Sequence, residues 1–458
     1  MLTTILAGVF ILSVVIVVHE FGHFIVAKKL GIFVKVFSIG FGRTLLKKRI
    51  GDTVYAISAL PFGGYVKFAG ETEEGEAKEA PRGKTADEIP DHEIDPGRYF
   101  INKRPLVRGA VVFAGPFSNY VLAVLIYIVM FTVIGLPVQP ETTVIGTVDR
   151  GSPADSAGLE VNDTILAVAG DSVGNWDDVV NDIWERREEA IPLRVLRGAD
   201  TLDVSYRCGI EGKTVSLGFG VFVPPVVGQI KRDGPAYRAG MRRGAMIEAI
   251  NDTTVVTFYD IERIIHANAE VPLFVRWSQD GVQRADTIVP VSKKVLKEGS
   301  KTEFEIVGQI GVGPDYRNER VGFFGAVTMS LRATAGMIKE IVSFLGLLLS
   351  GRAGVDALGG PILITQMAGD MARWGFNNLM YFLAFFSINL CIFNLLPVLP
   401  FDGGHLALFS YEGITRRRVN RRLRDLLTQG GFVLLIGLMI FVLVLDLTRC
   451  AGSSPVLF

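Results

Sequence analysis

Cysteine, histidine and net charge are all in short supply in this chain of 458 residues. The three cysteines, Cys208, Cys391 and Cys450, lie far apart and form no CxxC pair, which excludes a disulfide framework and a thiolate metal site. Lys plus Arg number 47 and Asp plus Glu also number 47. A nucleic-acid partner calls for a basic excess, so none is expected. Histidine occurs five times, at His19, His23, His92, His266 and His405. Apolar residues, by contrast, make up 49% of the chain. They are gathered in long runs, the pattern of membrane spans rather than of one soluble core.

The first run extends from Leu2 through Val18, passes His19-Glu20 and reaches Ala27 before Lys28-Lys29. A signal peptide carries its positive charges ahead of the apolar run, and here they follow it, so a retained helix is expected. Further runs cover Gly109 to Leu136, Leu379 to Phe401 and, shorter, Gly430 to Leu445, with Asp446 and Arg449 placed to reach the headgroups. Crossing ~30 Å of hydrocarbon takes ~20 residues. Val321 to Leu349 carries Arg332, Lys339 and Glu340 among its apolar residues, which suits a helix lying in the interface. Basic residues crowd the first loop (Lys28, Lys29, Lys35, Arg43, Lys47, Lys48, Arg49) and the last (Arg416, Arg417, Arg418, Arg421, Arg422, Arg424). Both loops are therefore expected in the cytoplasm, and residues 138 to about 320 outside, with both termini.

His19-Glu20-Phe21-Gly22-His23 is an HExxH sequence. Histidines at i and i+4 share one helix face and can chelate a zinc ion, and the adjacent glutamate can act as general base on the attacking water. A satisfied core histidine is a poor alternative, because an acidic residue inside an apolar span costs ~2.5–3.5 kcal/mol. Catalytic zinc takes three protein ligands, so a third is needed. Asp402 closes the third run, in NLLPVLPFDGGH. Asp-Gly is also an ordinary turn signal, but the first and third runs cross in the same direction, which brings Asp402 to the end that holds the histidines. His405 is the rival ligand. From Lys28 back to His23 and His19 is ~8–14 Å of helix, so the metal is expected within the membrane near its cytoplasmic surface, reached by a polar inlet.

HEFGH in the first run and NLLPVLPFDGGH after the third resemble the two defining motifs of the site-2 protease family of intramembrane zinc metalloproteases, peptidase family M50. Gly115-Pro116-Phe117-Ser118-Asn119 is similar to its GPxxN. The layout resembles the bacterial regulator of sigma-E protease subgroup over nearly the whole chain, with PVLPFDGG where relatives often read PLPVLDGG. The resemblance implies one zinc ion held by His19, His23 and Asp402, with Glu20 as catalytic base. It implies substrates that are single-span membrane proteins cut within or near the span, among them a pre-trimmed anti-sigma factor and remnant signal peptides. It places the enzyme in the bacterial inner membrane with its active site toward the cytoplasm.

Tyr55 to Glu71 contains two strand-like runs around Pro61-Phe62-Gly63-Gly64, a hairpin signal. In the family a GYVK-containing β-loop folds back beside the site, so Gly63, Gly64 and Tyr65 are expected to hold an unwound substrate by β-augmentation. Asn389 and Asn394 are expected to bond its freed backbone, or else to join helices. Residues 71–97 read as a flexible loop, and the tail 453–458 carries no signal. In the outside segment a strand, turn, helix and strand recur at a spacing of about 80 residues, first from Val144 and again from Val226. This repeat resembles tandem PDZ domains, with groove helices at Val179–Glu189 and Tyr259–Asn268.

The expected fold is thus a multi-pass α-helical membrane protein with four transmembrane helices, two α/β PDZ-like domains and a membrane-associated β-hairpin. Its expected parts are a first span over 1–30, a cytoplasmic loop over 31–104, a second span over 105–137, PDZ-like domains over 138–222 and 223–292, a linker with interfacial helices over 293–375, a third span over 376–402, a basic loop over 403–428 and a fourth span over 429–448. A silent PDZ-bearing adaptor would not need Glu20 beside two ligands. A zinc transporter would spread polar residues along several spans instead of gathering them at one end.

Overall fold

The computed structural model describes residues 1–70, 93–138, 140–211, 214–296, 304–352 and 359–451. The loop read over 71–97 is therefore described only from residue 93, and the tail 453–458 lies outside the described residues. Two units form among the described residues, one of Met1–Val133 with 322–451 and one of Ile134–Val321.

The first unit starts with α1 (Leu2–Lys29). Its buried stripe runs through Gly8, Ile11, Val15, His19, Gly22 and His23, so the histidines lie on the face that packs, as a spacing of three and four requires. Lys28 and Lys29 occupy the last turn, where cations meet the negative end of the helix dipole. Next come β1 (Val34–Ile50) and β2 (Thr53–Phe68). The expected hairpin is corrected here. Its turn is Gly51-Asp52, joining Ile50 to its partner Thr53. The runs on either side of Pro61–Gly64 do not pair with each other: Ile39 faces Ile57 on one side and Gly64 on the other, and Phe37 likewise faces Tyr55 and Val66. Val34–Ser38 is buried throughout, and an apolar central strand recruits both halves of β2 to cover its two edges. Helix α2 (Pro105–Val133) then packs on α1. A Cβ at Gly22 would overlap the Ala114 carbonyl oxygen, so the two backbones touch there, and Ser118 Oγ donates to the Val18 carbonyl at 2.7 Å.

The second unit repeats one plan twice. Ile145–Val148, the short α3 (Pro153–Ser156), Thr164–Val168, α4 (Trp176–Glu185), Ile191–Arg197 and Asp200–Tyr206 are followed by Phe219–Val221, which pairs back onto the first strand. Val227–Ile230, α5 (Pro235–Arg238), Met246–Ile250, α6 (Phe258–His266), Leu273–Gln279 and Val282–Ile288 repeat the order, and Val312–Pro314 closes it. The closing strand of the second repeat thus comes from beyond residue 292. Both helices begin earlier than their apolar residues suggest, because their caps lie upstream. Asn175 accepts the Asp178 N–H at 2.9 Å, and Thr257 with Asp260 forms a capping box. One continuous core joins the repeats, with Trp176, Ile183 and Val195 from the first and Phe258, Ile261 and Trp277 from the second.

The chain returns to the first unit with α7 (Phe323–Leu349), which packs on α2 and buries Ala326, Ser330, Thr334 and Ile341. Helix α8 (Pro361–Trp374) packs on α1, where Thr365 meets Gly8 and Thr4 meets Gly369. Helix α9 (Phe376–Asn394) packs on α2. The third apolar run is therefore shorter as a helix than as a sequence, since Pro397 and Pro400 break it, and Asp402 opens a separate helix, α10 (Asp402–Thr415). The last helix, α11 (Arg421–Ala451), is 31 residues long and so exceeds the short span expected. Asp446 does not reach into headgroups. It is 2% exposed, and its carboxylate accepts the N–H groups of Gly360, Ile362 and Leu363 at the start of α8, at 3.1–3.3 Å. Four helices among the described residues are long and apolar enough to cross a membrane: Leu2–Lys29, Pro105–Val133, Phe376–Asn394 and Arg422–Thr448.

Candidate metal centre

Three helices meet at one point. α1 supplies His19 and His23, the N-terminus of α10 supplies Asp402, and α2 forms the floor. His19 Nε2 lies 3.1 Å from Asp402 Oδ2, His23 Nε2 lies 3.6 Å from the same oxygen, and the two Nε2 atoms are 3.2 Å apart. These are the three groups that could share a metal ion among the described residues. A zinc ion with ligands at ~2.0–2.1 Å sets them about 3.3–3.4 Å apart along the edges of a tetrahedron, which matches all three separations. The chemistry of the donors agrees. His23 Nδ1 is 2.8 Å from the Val111 carbonyl, which can only accept, so Nδ1 carries a proton, and it is Nε2 that the neutral tautomer offers as a lone pair. A lone pair and a carboxylate oxygen that converge in this way are a donor set that a cation between them would satisfy.

Asn119 completes the set, and motif spacing alone did not identify it as a site residue. It is fully buried, its Nδ2 sits 3.5 Å from His19 Nδ1, and its Oδ1 has no partner. Turning that amide by 180° places the orphaned oxygen where His19 Nδ1–H donates to it, which frees the His19 Nε2 lone pair for a metal. The readable signal was its place one turn after Gly115. That glycine is required: a Cβ there would overlap His23 Nε2 and lie 2.9 Å from His19 Cε1.

Glu20 lines one cavity with the trio and reaches toward β2. Its Cγ lies 3.7 Å from a Cβ position at Gly64, and its carboxylate meets the Val66 backbone N–H. Gly63 has its α-carbon against the Phe41 ring, and Tyr65 stacks on that ring at 6.2 Å. Ser13 on α1 donates to the Pro61 carbonyl, so the stretch Pro61–Phe68 runs beside α1 from Ser13 past Glu20. Asn394 lies at 3.5 Å from His19 Nδ1, whereas Asn389 bonds the Phe385 carbonyl of its own helix at 2.9 Å. His405 is outside the trio of ligand atoms. It lines a cavity of about 600 Å³ together with His19, Glu20, His23 and Asp402. The inner wall of that cavity includes Arg108, whose Nη2 bonds Glu412 Oε2 at 2.5 Å and whose guanidinium covers the Phe409 ring at 4.5 Å.

Residues 7–438 match the sequence model of peptidase family M50. The chain belongs to peptidase family M50. It is similar to a putative zinc metalloprotease of Vibrio cholerae, 32% identical over 97% of this chain and 98% of that one. It is similar also to the regulator of sigma-E protease of Escherichia coli K12, 30% identical over 96% and 97% of the two chains. A PDZ domain of an SdrC-like protein from Listeria monocytogenes matches 21% of this chain and 90% of its own at 16% identity and a TM-score of 0.17, too loose a likeness to argue from. This M50 peptidase is a metalloendopeptidase.

Proposed function

We propose that this M50 peptidase is an intramembrane zinc enzyme that hydrolyses a peptide bond within or near the transmembrane segment of single-span membrane proteins. The observation that supports it is the convergence of His19, His23 and Asp402 at separations of 3.1–3.6 Å, with Glu20 beside them and a strand edge beyond. Zinc, when bound by the trio, polarises the scissile carbonyl and makes water a better nucleophile. Glu20 takes the proton from the attacking water and returns it to the leaving amine. The Gly64–Phe68 edge of β2 aligns the unwound substrate strand by β-augmentation. Asn119 and the Val111 carbonyl hold the two imidazoles in the tautomer that binds metal.

The membrane is the inner membrane of a bacterium, with both basic loops and the metal site toward the cytoplasm. The substrates are of the anti-sigma-factor type after a first trimming cut, and remnant signal peptides. The second unit is a pair of PDZ-like domains that acts outside the membrane as a size filter, and the second of them runs to residue 314, where its closing strand ends.

The test pairs metal analysis with cleavage of a single-span substrate in detergent. Glu20→Gln should keep zinc and lose cleavage, while Asp402→Ala should lose both and His405→Ala be milder. Cleavage by Glu20→Gln at the wild-type rate would overturn the mechanism.

A further inference from the structure

The reaction cavity contains an imidazole that the metal centre does not use. His405 stands three residues after Asp402 on α10, and side chains at i and i+3 of a helix are neighbours on one face, with Cβ atoms about 5–6 Å apart. Asp402, His405, Phe409 and Glu412 follow one another at helical spacing and form one stripe. All four line the cavity of about 600 Å³ that also contains His19, Glu20 and His23. The start of the stripe is fixed, because a Cβ at Gly403 or Gly404 would overlap the backbone of Leu395 or Leu399. The His405 ring lies beside Phe409, with centroids 6.3 Å apart, and Phe409 is held in turn by the Phe100 ring at 6.1 Å and the Arg108 guanidinium at 4.5 Å. The ring nitrogens are uncommitted. Among the described residues the His405 ring makes no hydrogen bond or ion pair. Neither nitrogen is among the side-chain atoms buried without a partner, so they open to the cavity. Arg108, on the same wall, is by contrast already bonded to Glu412.

We propose that His405 is a catalytic residue, which donates a ring N–H to the oxygen of the scissile carbonyl as that oxygen gains charge. This rests on the peptidase reading above. When the water oxygen bonds to the carbonyl carbon, a water proton passes to Glu20 and the C=O π pair moves onto the carbonyl oxygen, which becomes an alkoxide. When that pair returns, the C–N bond breaks and Glu20 delivers its proton to the departing nitrogen. His405 keeps its own proton throughout. A neutral imidazole has one N–H in either tautomer, so the step needs no ionised histidine. A donor held in place before the reaction is worth most on an atom whose charge develops, because its bond strengthens between carbonyl and alkoxide. The Phe409 support and the fixed start of α10 provide that prior placement.

The test uses the full chain in detergent with a single-span substrate and, separately, a phosphinic peptide, whose tetrahedral oxyanion resembles the water adduct and is not cleaved. His405→Leu and His405→Met both fill the space beside Phe409 and remove the donor. They should keep zinc under a chelator series and keep the melting temperature. They should lose about 10²–10³-fold in kcat with KM nearly unchanged, and a similar factor in affinity for the phosphinic peptide. His405→Gln, which keeps an N–H, should recover part of both. Arg424→Gln, which removes a cation from the wall of the same cavity, should cleave as the wild type does. Loss of zinc or of the fold in both His405→Leu and His405→Met would make the residue a ligand or a structural support and overturn the proposal. A rise in KM with kcat unchanged, full affinity for the phosphinic peptide, or a loss in His405→Gln as deep as in the other two would overturn it as well. An equal loss in Arg424→Gln would assign the effect to the charge of the cavity instead. A wild-type chain that holds zinc yet neither cleaves the substrate nor binds the phosphinic peptide would fail the peptidase reading itself, a result distinct from any difference among the His405 variants.

Discussion

Gly115→Ala should empty the metal centre without unfolding the protein. Gly115 sits inside α2, where alanine is favoured over glycine by up to ~1 kcal/mol, so the substitution alone strengthens the helix. The added methyl, however, would overlap His23 Nε2 and lie 2.9 Å from His19 Cε1. Carbon contacts settle near ~3.5–4.0 Å. His19 must therefore give by about 0.6 Å at the least, and His23 by more. Metal ligands tolerate about 0.2 Å. Changes behind a ligand cost about 10–100-fold in metal affinity, and displacing two ligands at once should cost more than that. Gly109→Ala is the control, because its Cβ would meet only Leu406 Cδ2, at an ordinary 3.8 Å. The assay is zinc per chain under a chelator series, with helix content and melting temperature read on the same samples. Wild-type zinc affinity in a folded Gly115→Ala chain would refute the reasoning.

Asn119→Leu should weaken zinc retention by about 10–100-fold with helix content unchanged, because His19 loses the acceptor for its Nδ1–H; unchanged chelator resistance would show that Asn119 does not orient the ring. Asp446→Ala leaves three N–H groups of α8 without an acceptor and should destabilise the first unit by about 1–3 kcal/mol, with Asp446→Asn between it and wild type; identical melting of all three in detergent would count against the cap. In the second unit, burial would raise the Asp260 carboxyl, but the Arg263 guanidinium and the Thr257 and Val256 N–H groups outweigh it and hold the group below its ordinary value of 3.8. Its contribution is therefore present above that ordinary value and is lost as pH falls through the lower folded one. Acid melts of the full chain should lose stability over that window, and Asp260→Asn should flatten the slope; equal slopes would refute the assignment.

The sequence made some features legible and hid others for reasons that are physical. That His19 and His23 share a face follows from helix geometry, and the long apolar runs correspond to helices because an unbroken run of that length has few other ways to bond its backbone. The second unit's repeat was readable from its Gly-Ser-Pro and Gly-Pro turns, each of which opens a short helix with proline at its first position. The hairpin was misplaced because Pro61–Gly64 carries every local sign of a turn, while pairing was decided at a distance by the buried Val34–Ser38. Asp446 looked like a charge at the edge of a span, since nothing near it in sequence shows that Gly360, 86 residues earlier, opens α8 with amides to satisfy. The role of Asn119 was hidden likewise, because its partner His19 is 100 residues away.

The wide separation of the proposed metal ligands along the chain has a consequence in time. Gly22 and Ala114, where α1 and α2 touch, are both made before a third of the chain exists, so the two histidines can be in place early. Asp402 follows His23 by 379 residues. At about 5–20 residues per second, a ribosome needs roughly 20–75 s to cover that distance. Until then the nascent chain presents two imidazoles and Glu20 without the third ligand. On the proposed ligand set, a chain assembled in this order would hold no complete metal site, and so could not attack its own later spans or its neighbours at the insertion site, before almost all of it has been made.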